Sequence, residues 1–171
     1  MPADTSAPGL QSVDDVRDFD AFYVAEYRGL VRLATALCGR VDVAEELVQD
    51  AMVSVLTRWR RVREYDKPGA FARRVVLNAA VSDRRRRKAE RRALERLPVE
   101  RVAWAPEISG FWNAVRELPA RQAQVVTLYY VEDLSVAQVS EVLDIAQGTV
   151  RATLDHARRS LAARLRLEEE A

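Results

Sequence analysis

Apolar side chains recur at three- and four-residue steps along most of the chain, the spacing of one buried helical face. Phe19, Phe22, Tyr23, Tyr27, Leu30, Val31, Ala34 and Leu37 predict a helix starting near Asp14, with Gly39 as its stop. Asp42 followed by Glu45 reads as a capping box opening a second helix. Its stripe is Ala44, Leu47, Val48, Ala51, Met52, Val55, Leu56 and Trp59. Tyr65-Asp66-Lys67-Pro68-Gly69 reads as a turn, with Pro68 suited to the first position of a third helix. That helix carries Phe71, Val75, Leu77, Asn78, Ala79 and Asp83 before running into Arg84-Arg85-Arg86-Arg87-Lys88.

The periodicity lapses between residues 93 and 108, where Pro98 and Pro106 interrupt it. It resumes with a short helix capped by Ser109, a break at Leu118-Pro119, and a helix from about Ala120 to Val131 with Val125, Val126, Leu128 and Tyr129 inward. Ser135 with Gln138 is a second capping-box match. Nothing alternates with the two-residue period of a strand series, and no internal repeat is present. The expected fold is all-α: a disordered segment 1–13, a helical domain 14–92, a flexible linker 93–108 and a second helical domain 109–171.

Composition narrows the chemistry. The 171 residues are 49% hydrophobic, enough for small cores. A single cysteine, Cys38, excludes an internal disulfide and a cysteine-based zinc site, and a single histidine, His156, argues against a His-rich metal site. No apolar run is long enough to span a bilayer, and the first residues lack the basic start and apolar stretch of a signal peptide, so a reducing, cytoplasmic location is expected. The net charge of +1 conceals a strong asymmetry. Residues 1–57 carry 4 basic and 10 acidic side chains, residues 58–101 carry 16 and 6, and residues 102–171 carry 7 and 10. The basic middle is nearly all arginine, which suits bidentate phosphate or base contacts better than lysine does.

The most informative stretch is Ser135 to Leu165. A short helix with Val136, Val139 and Val142 inward is followed by the tight connection Asp144-Ile145-Ala146 and a longer helix from Gln147. Val150, Leu154, Ala157 and Leu161 form one buried stripe of that helix, and Arg151, Ala152, Asp155, His156 and Arg159 lie opposite. Short helix, tight turn and a second helix make a helix-turn-helix, whose second member enters the major groove of duplex DNA. Arginine takes both acceptors of guanine and a carboxylate accepts from cytosine, so Arg151 and Asp155 are the best readers on chemistry. A solvated helical hairpin is the alternative.

The ordered string Leu118-Pro119, Leu134-Ser135, Gly148-Thr149-Val150-Arg151 and Ala157-Arg158 resembles the fourth region of bacterial sigma-70-type initiation factors of the small extracytoplasmic-function (ECF) group. The second helix, AEELVQDAMVSVLTRW, resembles that family's core-binding segment, with Gln49-Asp50 where the family has its Gln followed by an acid. The third, AFARRVVLNAAVSDRRRRK, resembles the segment that melts and reads the minus-ten element, with Asn78, Asp83 and Arg85-Arg86 at the family's positions. The resemblance spans residues 19–92 and 109–166, and the arginine-rich tracts look most like an actinobacterial sigma-E subgroup.

The resemblance implies a region 2 helix bundle and a region 4 helix-turn-helix acting by binding rather than catalysis, with no cofactor and no metal of its own. Core RNA polymerase would be gripped at its largest-subunit clamp helices by Leu47, Gln49, Asp50, Val53 and Leu56, and at its flap by the C-terminal domain. The melted minus-ten strand would meet Arg73, Arg74, Asn78, Asp83, Arg84, Arg85, Arg86 and Arg87. The minus-thirty-five duplex would meet Thr149, Arg151, Ala152, Asp155, His156, Arg158 and Arg159. An anti-sigma factor is a possible further partner, and the linker resembles the segment that threads toward the polymerase cleft. Gln147 stands where many members have proline, and Thr153 and Asp155 stand where basic or aromatic residues are frequent. Trp59, Tyr65 and Phe71 read as core or turn residues, with stacking on separated bases as the alternative. The rival reading is a free-standing helix-turn-helix regulator that works without polymerase; it would leave the Gln49-Asp50 helix and the Asn78 to Lys88 tract without a use. An enzyme is disfavoured, because the sequence shows no phosphate-cradling glycine loop and no nucleophile beside a base.

Overall fold

A computed structural model of the chain describes residues 12–94 and 110–169. Most of the expected N-terminal segment and most of the expected linker lie outside these residues. Eight helices are described: α1 (Val13–Cys38), α2 (Val41–Leu56), α3 (Trp59–Val62), α4 (Pro68–Leu94), α5 (Gly110–Glu117), α6 (Ala120–Tyr130), α7 (Val136–Leu143) and α8 (Gln147–Glu169). There is no strand among the described residues. None of these helices is long and apolar enough to cross a membrane.

The helix ends follow from local chemistry. The Ser12 hydroxyl accepts from the Asp15 N–H at 3.0 Å, so α1 opens one residue before the apolar pattern predicts. Gly39 closes it in the left-handed conformation, φ 79°, donating its N–H to the Thr35 carbonyl. A side chain there would be strained, and an added Cβ would lie 3.0 Å from Arg116 Nε. Pro68 occupies the first position of α4 as expected. Ser135 and Gln138 form the reciprocal capping box of α7.

Two local expectations fail. α2 begins at Val41, so Asp42 already has helical backbone and cannot act as the N-cap; its exposed carboxylate pairs with Arg40 instead. That hydrogen bond is the main reason the Asp42 pKa is lowered. Trp59 does not extend the α2 stripe either. α2 stops at Leu56, where Arg58 Nη1 caps the Ser54 carbonyl at 2.9 Å, and Trp59 starts the separate turn α3. There its ring is buried 5.4 Å from Phe19 and 5.0 Å from Phe22, a core position rather than a stacking platform. Tyr65 and Phe71 meet edge to face across the turn before α4.

In the first half α1, α2 and α4 pack mutually with α3 tucked beneath. Leu30, Leu33, Leu37, Val48, Val55, Val76 and Leu77 fill the centre, each essentially excluded from solvent. In the second half α5, α6 and α7 pack on α8, whose stripe of Val150, Leu154, Ala157 and Leu161 is buried as its spacing requires. Each fully buried Val or Leu contributes about 1.5–3 kcal/mol of burial. The two halves share one continuous apolar cluster, because α5 and α6 dock on α1 while α7 docks on α4.

Candidate nucleic-acid and polymerase interfaces

The α7–α8 connection is tight and internally bonded. Asp144 takes the left-handed conformation, φ 54°, that ends α7. The Ile145 N–H donates to the Ser140 carbonyl at 3.1 Å, and the Ser140 hydroxyl donates to the Ile145 carbonyl at 2.5 Å. These bonds fix the angle at which α8 leaves α7, so the buried stripe sets which face of α8 points outward. Thr149, Arg151, Ala152, Asp155, His156, Arg158 and Arg159 are all exposed on it. Among the described residues Arg151 makes one side-chain hydrogen bond, at 3.4 Å to Gln147 Oε1 in the preceding turn, and is otherwise exposed. Arg159 reaches the Asp155 carbonyl at 3.3 Å and His156 Nδ1 at 3.2 Å. Arg158 is more constrained: its Nε donates to the Tyr130 hydroxyl at 3.1 Å and its guanidinium lies over the Tyr129 ring. The Tyr130 contact raises its already high pKa, so it remains a fixed cation.

On α2, Gln49, Asp50 and Val53 are exposed, Val53 at 59%. Leu47 and Leu56 are only half exposed, each leaning on the core. A groove of about 390 Å³ separates Leu47 and Asp50 from Arg86 and Arg87 of α4.

α4 divides its polar residues between two tasks. Asn78, Arg85 and Arg86 are exposed. Asp83 is not on that open face: its carboxylate is 3% exposed and accepts from Arg86 Nη2 at 2.7 Å and Arg87 Nε at 2.6 Å. It therefore orients two guanidiniums rather than presenting itself. Arg73, Arg74 and Arg84 turn toward the second half of the chain. Arg73 pairs with Glu26 at 2.9 Å and with the nearly buried Glu132 at 3.0 Å. Arg74 donates to the Val142 and Glu141 carbonyls at 2.7 and 3.1 Å, closing the C-terminal end of α7. Arg84 does the same for the end of α5, reaching the Arg116 and Leu118 carbonyls at 2.9 and 3.1 Å. Lys67 adds an ion pair to Glu141.

Sequence reasoning did not find this inter-domain set. Glu132, Glu141 and Arg116 carry no motif, and backbone carbonyls at helix ends leave no trace in residue identity.

Residues 22–90 match the family described as sigma-70 region 2, and residues 110–161 match sigma-70 region 4. An RNA polymerase sigma-E factor of Streptomyces antibioticus is 29% identical over 160 residues, 91% of this chain and 87% of that protein. The ECF RNA polymerase sigma factor SigM of Mycobacterium tuberculosis is 31% identical over 147 residues, 84% of this chain and 75% of that one. Among solved structures, the sigma factor RpoE of Bartonella quintana in complex with the anti-sigma factor NepR has the same fold, with a TM-score of 0.64 at 23% identity over 88% of this chain and 98% of that chain. CnrH in complex with the cytosolic domain of CnrY also reaches 0.64, at 21% identity over 89% of this chain and 90% of that chain. With both regions matched in order and relatives of this similarity along most of its length, the chain belongs to the ECF group of the sigma-70 family.

Proposed function

We propose that this sigma factor binds core RNA polymerase and directs initiation by reading the minus-thirty-five element as duplex and the minus-ten element as separated strand. The observation that carries the proposal is the exposed polar face at the start of α8, held by a buried stripe and a bonded turn. A helix presented this way fits the major groove, with Arg151 suited to guanine and Asp155 to cytosine. Thr149, Ala152, His156, Arg158 and Arg159 flank them. On α4, Asn78 supplies both donor and acceptor for an unstacked base edge, and the arginines supply a phosphate track. Gln49, Asp50 and Val53 present the docking face for polymerase, bordered by Leu47 and Leu56. Two modest DNA contacts joined through one polymerase gain specificity by effective concentration. The chain contributes binding and orientation; bond formation belongs to the polymerase.

Arg73, Arg74 and Arg84 are engaged by the second half in the docked arrangement, so the whole phosphate track assembles only when the halves separate. We assign that separation to polymerase binding. A protein partner that holds the docked form, as an anti-sigma factor would, is compatible with the same geometry.

Run-off transcription with purified core polymerase tests the proposal. Arg151→Ala is expected to reduce promoter-specific initiation about tenfold or more, the loss of one bidentate base contact, with polymerase binding retained. Asn78→Ala is expected to impair strand opening, read by permanganate reactivity, more than closed-complex formation. Absence of discrete start sites with the unaltered chain refutes the assignment.

A further inference from the structure

We propose that the recess where α1, α4, α5 and α8 meet binds a small phosphate-bearing anion of the diphosphate class, and that its occupancy holds the two halves of the chain together. The recess has a volume of about 440 Å³, within the range of small-molecule sites. Cys38, Arg84, Arg87, Asn113, Arg116 and Arg164 line it, so four guanidiniums from three helices converge on one cavity.

Their partners show why it calls for an anion. Arg84 is half-buried, and its described bonds go to two backbone carbonyls. Arg116 is half-buried too, bonded to the Ala36 carbonyl at 3.4 Å and to the Asn113 side-chain oxygen. Among the described residues neither has a carboxylate within ion-pair distance, in contrast to Arg63, Arg73, Arg86 and Arg87. Withdrawing a cation from water without a counter-ion is costly. Burial accordingly lowers the pKa of both groups, offset only in part by Glu117 at Arg84 and by Cys38 and then Glu117 at Arg116. The two carboxylates in the lining offset only part of its four positive charges, Asp83 pairing with Arg87 of the lining. Both oxygens of Asp83 are taken by Arg86 and Arg87, and Glu117 is exposed, its backbone carbonyl rather than its carboxylate accepting from Arg164 at 3.5 Å. Each guanidinium has five donors and the bonds described here use one or two, so most remain for a ligand.

The lining also selects the ligand. Among the described residues its apolar members are Leu37 and Ala114, and no aromatic ring lines it to stack on a base. Compact multivalent charge is favoured over a nucleoside. Because α1 and α4 supply one wall and α5 and α8 the other, the cavity exists only while the halves are docked. A ligand that binds only that form stabilises it in proportion to the logarithm of its concentration over its dissociation constant.

The test uses the full chain alone, without polymerase or promoter DNA, so its failure is separable from failure of the initiation proposal. Pyrophosphate is titrated by calorimetry against sodium chloride at matched ionic strength, with orthophosphate and ADP as comparison arms. Saturable one-to-one binding of pyrophosphate is expected, tighter than orthophosphate and not improved in ADP. Arg164→Gln, a mostly exposed side chain whose loss leaves the fold intact by circular dichroism, is expected to weaken binding about tenfold, the worth of one charge-assisted contact. Arg116→Gln should weaken it at least as much. Saturating pyrophosphate should also slow alkylation of Cys38 severalfold. The proposal is overturned by heats that sodium chloride reproduces, by unchanged affinity in Arg164→Gln, by an unchanged Cys38 alkylation rate at saturation, or by tenfold tighter binding of ADP.

Discussion

Arg74→Ala and Arg84→Ala each remove a guanidinium that closes a helix end across the inter-domain boundary. A hydrogen bond to a charged group contributes about 1.5–3 kcal/mol net, and each arginine makes two. Both side chains are partly exposed, and the carbonyls they release regain water when the halves part, so about 2 kcal/mol per arginine is the appropriate discount. The two lie ten residues apart on α4, about 15 Å along its axis, too far to share partners, so their effects should add. The double variant is therefore expected to lose about 4 kcal/mol of docking, close to a thousandfold in the ratio of docked to separated forms. Small-angle scattering across a urea series reads this as expansion at lower urea than in the parent chain. Helical content should hold at those concentrations, because neither side chain belongs to either core. If the double variant expands at the same urea concentration as the parent, the arginine latch does not hold the halves and the reasoning fails.

Four further outcomes follow from particular residues. Leu154→Ala empties part of the α8 stripe and should cost about 2–5 kcal/mol by urea denaturation. Gly39→Ala should destabilise by about 1–2 kcal/mol because its φ of 79° is unfavourable for an L side chain, whereas Gly148→Ala, with nothing within 4 Å of the added methyl, should be neutral or slightly stabilising in the same assay. Ser135→Ala removes one partner of the capping box and should cost about 1 kcal/mol, visible as a lower thermal midpoint. Burial pushes the Cys38 thiol up, so less of it is thiolate near pH 8, and iodoacetamide should modify it severalfold more slowly than a free thiol until the chain is unfolded.

Much of the fold was legible because helix formation here is governed by short-range pattern. The α8 stripe, the Gly39 stop, the Pro68 start and the Ser135 cap each depend on residues within about one turn of one another. The error at Asp42 arose where two competing starts lie two residues apart and Arg40 captures the carboxylate. Trp59 fits the α2 stripe by spacing alone; only the tertiary position of Phe19 and Phe22 shows why the chain turns at Thr57. The exposed faces of α2 and α8 were readable in outline, since burial of one stripe dictates the other. The assignment of Arg73, Arg74 and Arg84 to the second half was not, because a run of arginines says nothing about which member meets a distant carbonyl, and Asp83 gave no sign of being the buried acid that orients its neighbours.

The manner in which Arg74 and Arg84 hold the second half has a consequence for how such a contact can vary. Their acceptors are main-chain oxygens of residues 116, 118, 141 and 142. Any amino acid at those four positions offers the same oxygen so long as the helix ends in the same place. Side-chain replacement that preserves the packing of the buried Leu118 and Val142 therefore leaves the acceptor half intact, while a single inserted or deleted residue near the end of α5 or α7 would misplace both oxygens at once. The attachment is thus robust to substitution and fragile to changes of length.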